Sequence, residues 1–204
     1  MFTNIIIMTD KTSKRQQEII ESAGKLLMEK GIKGLTTKNL AQEMEFSESA
    51  LYRHFKNKED IVLLLISYLS ENINSRFQTI LKLEATAEEK FIALFTSQFQ
   101  FFKKNPHFIV IVLSDGLMDN SENIKNSIKK LIETNFLAIK KIMIEGQQSN
   151  LFNQETEADS LVHFAIGTFR LQMLQWKLSN FNFDIEVKGM KTMTDLLTLM
   201  KKQK

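Results

Sequence analysis

The chain has 204 residues, of which 43% are hydrophobic, with one proline and no cysteine. This length and apolar content suffice to bury a sizeable core in one or two compact units. The absence of cysteine excludes a disulfide scaffold, thiolate metal sites and thiol catalysis, and it fits a reducing cytoplasm, where we expect the protein. The net charge of +3 is weak support for a nucleic-acid partner, and residues 1–60 hold 10 Lys or Arg against 9 Asp or Glu.

The N-terminal residues 1–12 contain a short apolar run without a basic region before it or a small-residue cleavage site after it. We therefore predict a flexible leader rather than a signal peptide. No apolar run approaches the roughly 20 residues that cross a bilayer, so we expect no membrane partner.

The first predicted helix runs from Lys14 to Lys30. Ser13 and Gln16 form a capping box at its start, and Gly31 closes it.

Two short helices follow, joined by a tight turn. The first runs from Thr37 to Met44, and the turn is residues 45–46. Ser47 is an N-cap candidate for the next helix, because its hydroxyl can accept from a backbone N–H of the first turn. Leu51 and Phe55 share the inward face of that helix, which leaves its small and polar residues outward. This arrangement is a helix-turn-helix, whose second helix enters the DNA major groove.

The run from Phe46 to Ile61, FSESALYRHFKNKEDI, closely resembles the DNA-binding signature of the TetR family of bacterial transcriptional regulators. The resemblance implies an all-α protein with a three-helix helix-turn-helix DNA-binding domain over residues 13–60. It also implies a helical domain over residues 61–204 that binds an effector and dimerises.

The same resemblance implies a role for each matching position. Four residues match positions that grip phosphates: Thr37, Tyr52, His54 and Lys58. Base edges are reached from Glu48, Ser49, Ala50 and Arg53, beside the capping Ser47.

Two positions depart from the family pattern. Glu45 stands where many relatives have glycine, and a non-glycine in the left-handed conformation costs about 1 kcal/mol. The Glu48 carboxylate repels phosphates unless it accepts a hydrogen bond from a cytosine amine, which leaves the operator sequence unpredicted.

The remainder of the chain has an apolar pattern with helical spacing throughout. The predicted helices are Lys58–Leu83, Ala87–Lys104, an apolar segment His107–Leu117, a helix opened by Asn120 or Ser121 and ending near Gly146, Thr156–Ser179 and Ile185–Lys202.

The last two predicted helices are apolar over more than one face, so a single neighbour cannot cover them. Pairing with a second copy would bury that excess, and the resemblance implies a four-helix dimer interface. The predicted interface residues are Phe169, Met173, Trp176, Met193 and Leu197. A dimer with recognition helices about 34–36 Å apart reads a palindromic operator in double-stranded DNA.

Sixteen phenylalanines and ten methionines are more than a tight small core needs. The resemblance implies a cavity for a small apolar or amphipathic ligand; the alternative is a packed core rich in phenylalanine. The predicted ligand-binding residues are Phe95, Gln98, Phe99, Phe102, Asp115, Phe136, His163 and Phe164.

These features predict a homodimeric repressor that a ligand releases from DNA by swinging the helix that begins at Lys58. Two rival hypotheses are a chromosome-associated DNA-binding protein without an effector, and a helical carrier of fatty acyl or other apolar ligands with a vestigial helix-turn-helix. An enzyme is not expected, since the three histidines lie on three different elements and no catalytic motif occurs. We predict no metal site and no cofactor.

Overall fold

Ten α-helices make up most of residues 14–202, the part of the chain that this computed structural model describes. In chain order they are α1 (Lys14–Gly34), α2 (Thr37–Glu43), α3 (Glu48–Tyr52), α4 (Lys58–Leu81), α5 (Ala87–Lys104), α6 (His107–Val112), α7 (Asp115–Asp119), α8 (Glu122–Gln148), α9 (Ala158–Leu178) and α10 (Ile185–Met200). The predicted all-α class is confirmed. The apolar segment predicted from residue 107 to 117 falls in two short helices, α6 and the first part of α7.

The first helix ends near its predicted stop. Gly31 lies inside the span of α1 but has φ 61° and ψ −168°, so the helix is interrupted there before one more turn. Gly31 has a positive φ with an extended ψ, a combination that essentially only glycine adopts, and this breaks the helix. The predicted leader over residues 1–12 and the capping Ser13 lie outside the described residues.

The N-terminal helices enclose a small apolar core that continues into the rest of the molecule. Leu26, Leu40 and Leu51, from α1, α2 and α3, are at most 2% exposed. Ile61 and Leu65 of α4 are fully buried. The domain boundary expected after residue 60 therefore falls inside α4, a continuous helix of 24 residues.

The C-terminal helices pack around α4 and α5. Helix α4 lies against α5 and α8, while α10 packs on α5 and α9, and α8 packs on α9. Helix α6 packs on α1 and also contacts α4 and α9, so it joins the N-terminal helices to the larger bundle.

Candidate nucleic-acid interface and ligand cavity

The helix-turn-helix forms from local signals. Thr36 caps α2 by accepting from the backbone N–H of Asn39. Glu45 in the turn has φ 56°, which lies in the left-handed region that favours glycine. Ser47 then caps α3 by accepting from the N–H of Ala50, as predicted. Because each end of both short helices is satisfied locally, α3 keeps a defined orientation on the core.

The predicted base-reading residues lie on the outer surface of α3. Leu51 and Phe55 point into the core, at 2% and 7% exposure. The outward side chains are exposed, apart from the half-buried Ala50; they are Ser47, Glu48, Ser49, Ala50, Arg53 and His54. We call these six residues the recognition surface. Hydroxyl, carboxylate, guanidinium and imidazole groups at this surface can exchange hydrogen bonds with base edges or phosphates.

The side chains predicted to contact phosphates differ in their exposure and in their hydrogen-bond partners. The Thr37 hydroxyl is buried and donates to the Tyr52 hydroxyl at 3.2 Å, while Tyr52 is 49% exposed. Tyr52 is therefore the accessible member of this pair. The Lys58 ammonium donates to the backbone carbonyl of Ile32, and partial burial lowers the pKa of Lys58. Lys58 must exchange this carbonyl for a phosphate if it is to contact DNA.

A cavity of about 100 Å³ lies inside the larger bundle. A single water molecule needs roughly 10 to 15 Å³ on the same scale, so the space holds several waters or a small apolar group. Its walls come from α4, α5, α6, α8 and α9, and its lining residues are Leu69, Ile73, Phe77, Leu94, Phe95, Gln98, Phe102, Ile109, Val112, Leu113, Leu131, Ile132, Asn135, Ile139, Ile166, Phe169, Arg170 and Met173. Its polar lining is limited to Gln98, Asn135 and Arg170.

Three of the predicted ligand residues line this cavity: Phe95, Gln98 and Phe102. Phe99 does not, because it packs against Gly189 of α10, where a Cβ would lie 2.4 Å from its ring, and against the ring of Phe169.

The predicted ligand-binding residues on α8 and α9 lie outside the cavity lining. The Phe136 ring packs edge-on against the exposed His163, with ring centroids 5.3 Å apart, and neither side chain lines the cavity. Phe164 is 54% exposed on the outer face of α9. Asp115 lies at the start of α7, and its side chain is outside the described part of the structure. Of the predicted ligand residues, Phe99, Phe136, His163 and Phe164 therefore do not line this cavity, and a ligand role for them stays a prediction.

The predicted dimer residues are mostly part of the core of one chain. Met173, Trp176, Met193 and Leu197 are at most 4% exposed, and Phe169 lines the cavity. These side chains point inward because α9 and α10 cover the bundle with one apolar face each. The other apolar face of α9 is the exposed one, and its residues are Phe164, Leu171, Leu174 and Leu178. We call these four residues the α9 stripe.

Sequence reasoning missed a buried polar cluster behind the cavity wall. Arg76 of α4 is 8% exposed and donates to Asn72 Oδ1 at 2.8 Å, Ser97 Oγ at 2.6 Å and Gln98 Oε1 at 2.8 Å. Burial lowers the pKa of Arg76 to about 10. A signal was present, because Asn72 and Arg76 stand four residues apart within the apolar stripe of α4, where they must share a face.

Helix α6 connects the cavity to α1. Ile109, Val112 and Leu113 line the cavity, whereas His107 packs on α1 against Gly24. A Cβ at Gly24 would lie 2.9 Å from His107 Nδ1. Burial lowers the pKa of His107 to about 4, and its Nε2 has no hydrogen-bond partner among the described residues.

Residues 14–202 contain neither a membrane span nor a cluster of metal ligands. Within this range, no helix has the length and hydropathy of a membrane span. The same residues contain no group of three or more His, Cys, Asp or Glu side chains arranged to hold a metal ion.

Comparisons with known proteins agree with this arrangement. Residues 19–65 match the family described as "Bacterial regulatory proteins, tetR family", and residues 67–199 match the "YsiA-like protein, C-terminal region". The nucleoid occlusion factor SlmA of Aliivibrio fischeri (strain MJ11) is 30% identical over 138 residues, which are 67% of this chain and 70% of that protein.

Solved structures of regulators share the fold. The fatty acid degradation regulator FadR from Bacillus halodurans superposes with a TM-score of 0.80 at 17% identity, covering 92% of this chain and 96% of that one. FadR from Bacillus subtilis, in complex with stearoyl-CoA, gives 0.75 at 19% identity, covering 90% and 96%. The chain belongs to the TetR family of bacterial regulatory proteins and is a helix-turn-helix DNA-binding transcriptional regulator.

Proposed function

We propose that this protein is a cytoplasmic repressor that binds a palindromic operator as a homodimer and leaves it when an apolar or amphipathic ligand fills the cavity. The observation that carries the proposal is the position of the cavity. Its walls include α4, which begins at the recognition end of the molecule, and α6, which packs on α1.

The α9 stripe supports a homodimer. Its four residues follow spacings of 7, 3 and 4, so they lie along one side of the helix, with exposures between 39% and 74%. Gly167 lies between Phe164 and Leu171, and a Cβ there would meet nothing within 4 Å. A second copy can therefore approach closely and bury the stripe, and burial of each such apolar side chain contributes about 1.5–3 kcal/mol.

Two helices of the cavity wall, α4 and α6, also reach the DNA-binding helices, and this supports release by a ligand. Helix α4 lines the cavity with Leu69, Ile73 and Phe77. The first turn of α4 is also linked to the start of α8, because Glu59 Oε1 accepts hydrogen bonds from Ser121 at 2.8 Å and from Asn123 at 2.9 Å. A ligand that prefers a wider cavity displaces α4 or α6 and changes the distance between the two recognition surfaces. The ligand must prefer the released state by several kcal/mol to empty the operator.

The test is selection from random duplex DNA by the purified protein at about physiological salt. The control is the double variant Tyr52→Ala, Lys58→Ala, which removes phosphate contacts but leaves the residues of the recognition surface in place. We expect the wild type alone to enrich a palindrome whose half-sites lie about one helical turn apart. A folded, dimeric wild type that enriches no sequence would refute the proposal.

The SlmA relatives support a second candidate, a chromosome-associated DNA-binding protein that answers to a partner rather than to a small molecule. The two candidates differ in the cavity. Substitution of Ile73 or Ile139 by Phe, which fills the cavity, should alter operator affinity in the ligand-responsive repressor and leave it unchanged in the second candidate.

A further inference from the structure

The Arg76 guanidinium is a buried cation without an anionic partner among the described residues. Its three named hydrogen bonds go to neutral groups on Asn72, Ser97 and Gln98. The guanidinium carbon also lies 4.8 Å from the centroid of the Phe101 ring. Buried charges are normally paired, so a cation held by neutral acceptors leaves a positive field in its surroundings.

Gln98 lies between Arg76 and the cavity, because it accepts a hydrogen bond from Arg76 and also lines the cavity. Arg76 carries only donors, so the Gln98 side-chain oxygen must face it and the amide nitrogen must face away. That nitrogen donates one hydrogen to Asn135 Oδ1 at 3.3 Å, and Asn135 in turn donates to the carbonyl of Leu131 at 2.6 Å. Both amides line the cavity. Gln98 therefore has one amide hydrogen left to donate at this wall, with the charge of Arg76 behind it.

The other charges of the cavity have the same sign. Among the side chains that the structure describes, the lining contains no Asp or Glu, and its only charged member is Arg170. The Arg170 side chain is exposed, and no described residue forms an ion pair with its guanidinium. The remaining walls are apolar apart from Gln98 and Asn135. A cationic ligand would meet repulsion here, whereas an anion with an apolar tail would meet donors and positive potential.

We propose that the cavity selects apolar ligands that carry a carboxylate, and that the carboxylate binds at Gln98 with Arg76 as the positioning residue and counter-charge behind it. This inference rests on the proposed ligand-binding role of the cavity. Arg76 also lies on α4, the helix that begins at the DNA-binding end, so a ligand held at this wall bears directly on that helix.

The test compares three probes with the same eight-carbon tail, which binds only if the cavity of about 100 Å³ widens as the proposed function requires: octanoate, octan-1-ol and octyltrimethylammonium. Affinities are measured by isothermal titration calorimetry on the DNA-free wild type, Arg76→Gln and Arg170→Gln. Arg170→Gln is the matched control, because it removes the same charge from the exposed side of the same cavity. We expect the wild type to bind octanoate at least about tenfold more tightly than octanol and to bind the cation least.

In Arg76→Gln, the preference for octanoate over octanol should fall about tenfold while octanol affinity is retained, which a purely structural role for Arg76 would not produce. Arg170→Gln should lower the preference much less than Arg76→Gln does, because the exposed Arg170 charge is screened by solvent. If Arg76→Gln does not fold, Arg76→Lys, which keeps the charge with fewer donors, should retain a reduced preference.

Equal affinity for all three probes, binding of none of them, or loss of the preference only in Arg170→Gln would overturn the inference. These outcomes are independent of the DNA selection. A protein that prefers octanoate but selects no operator retains this inference and loses the repressor function, and the converse result removes the inference alone.

Discussion

Replacement of Gly24 by alanine tests whether the contact between α1 and α6 is as tight as it must be to couple the cavity to the DNA-binding helices. The added Cβ would lie 2.9 Å from His107 Nδ1 and 3.0 Å from Cγ and Cε1 of the same ring. These distances are well inside ordinary contact, so the ring or the helix has to move. The imidazole is held between α1 and the core, which makes the movement costly.

Two opposing effects set the magnitude. Alanine is favoured over glycine inside a helix by about 0.5–1 kcal/mol. Overpacking of a well-filled contact costs about 1–3 kcal/mol. We expect the steric term to exceed the helix term, with a net loss of about 1 kcal/mol in the free energy of unfolding. For a chain of this size, that loss lowers the melting temperature by about 2–4 °C.

The assay is thermal unfolding at a fixed protein concentration, together with operator affinity. Gly116→Ala is the control, because a Cβ at Gly116 would meet nothing within 4 Å. We expect this control to match or slightly exceed the wild type. In a His107→Ala background, Gly24→Ala should become neutral or stabilising, since the clash is gone. A Gly24→Ala protein as stable as the control would falsify the argument for a tight α1–α6 contact.

Four other substitutions test separate parts of the structure. Leu171→Glu in the α9 stripe should convert the proposed dimer to a monomer in sedimentation analysis, because each copy would place a carboxylate in the apolar surface that the proposed interface buries. Lys58→Ala should weaken DNA binding uniformly across sequences and reduce the salt slope by about 1 in a binding titration. Glu45→Gly should stabilise the protein against urea by about 0.5–1 kcal/mol, since φ at this position is 56°. His107→Gln should flatten the acid side of the stability curve. The pKa of His107 is depressed to about 4 in the folded state, so its contribution is present above the unfolded pKa near 6.5 and is lost as pH falls from there toward 4. An unchanged acid limb in His107→Gln would contradict this assignment.

The helix-turn-helix was predictable from sequence because its determinants are local. Ser47 caps α3 through a residue three positions away, and Leu51 and Phe55 face inward by helical spacing alone. The left-handed turn at Glu45 follows from the short distance between two helices of fixed direction. Each of these features needs only neighbouring residues, so an extended motif in the sequence determines it.

The interior of the larger domain depended on contacts between distant helices. Both faces of α9 are apolar, and the sequence pattern cannot tell Met173, which is buried, from Leu171, which is exposed. Likewise, Phe95 and Phe99 are one helical turn apart, but only Phe95 lines the cavity, because the Phe99 ring packs against Gly189 of α10.

The sequence by itself determined the helices, the family and the recognition surface, because caps, spacing and an ordered motif act over a few residues. Only the tertiary structure decided which apolar face is buried and where the cavity lies. It also placed Arg76 behind Gln98, since the residues around them come together only when the three helices α4, α5 and α8 pack. The physical reason is that burial and polarity at these positions are properties of neighbours that lie more than 20 residues away in the chain.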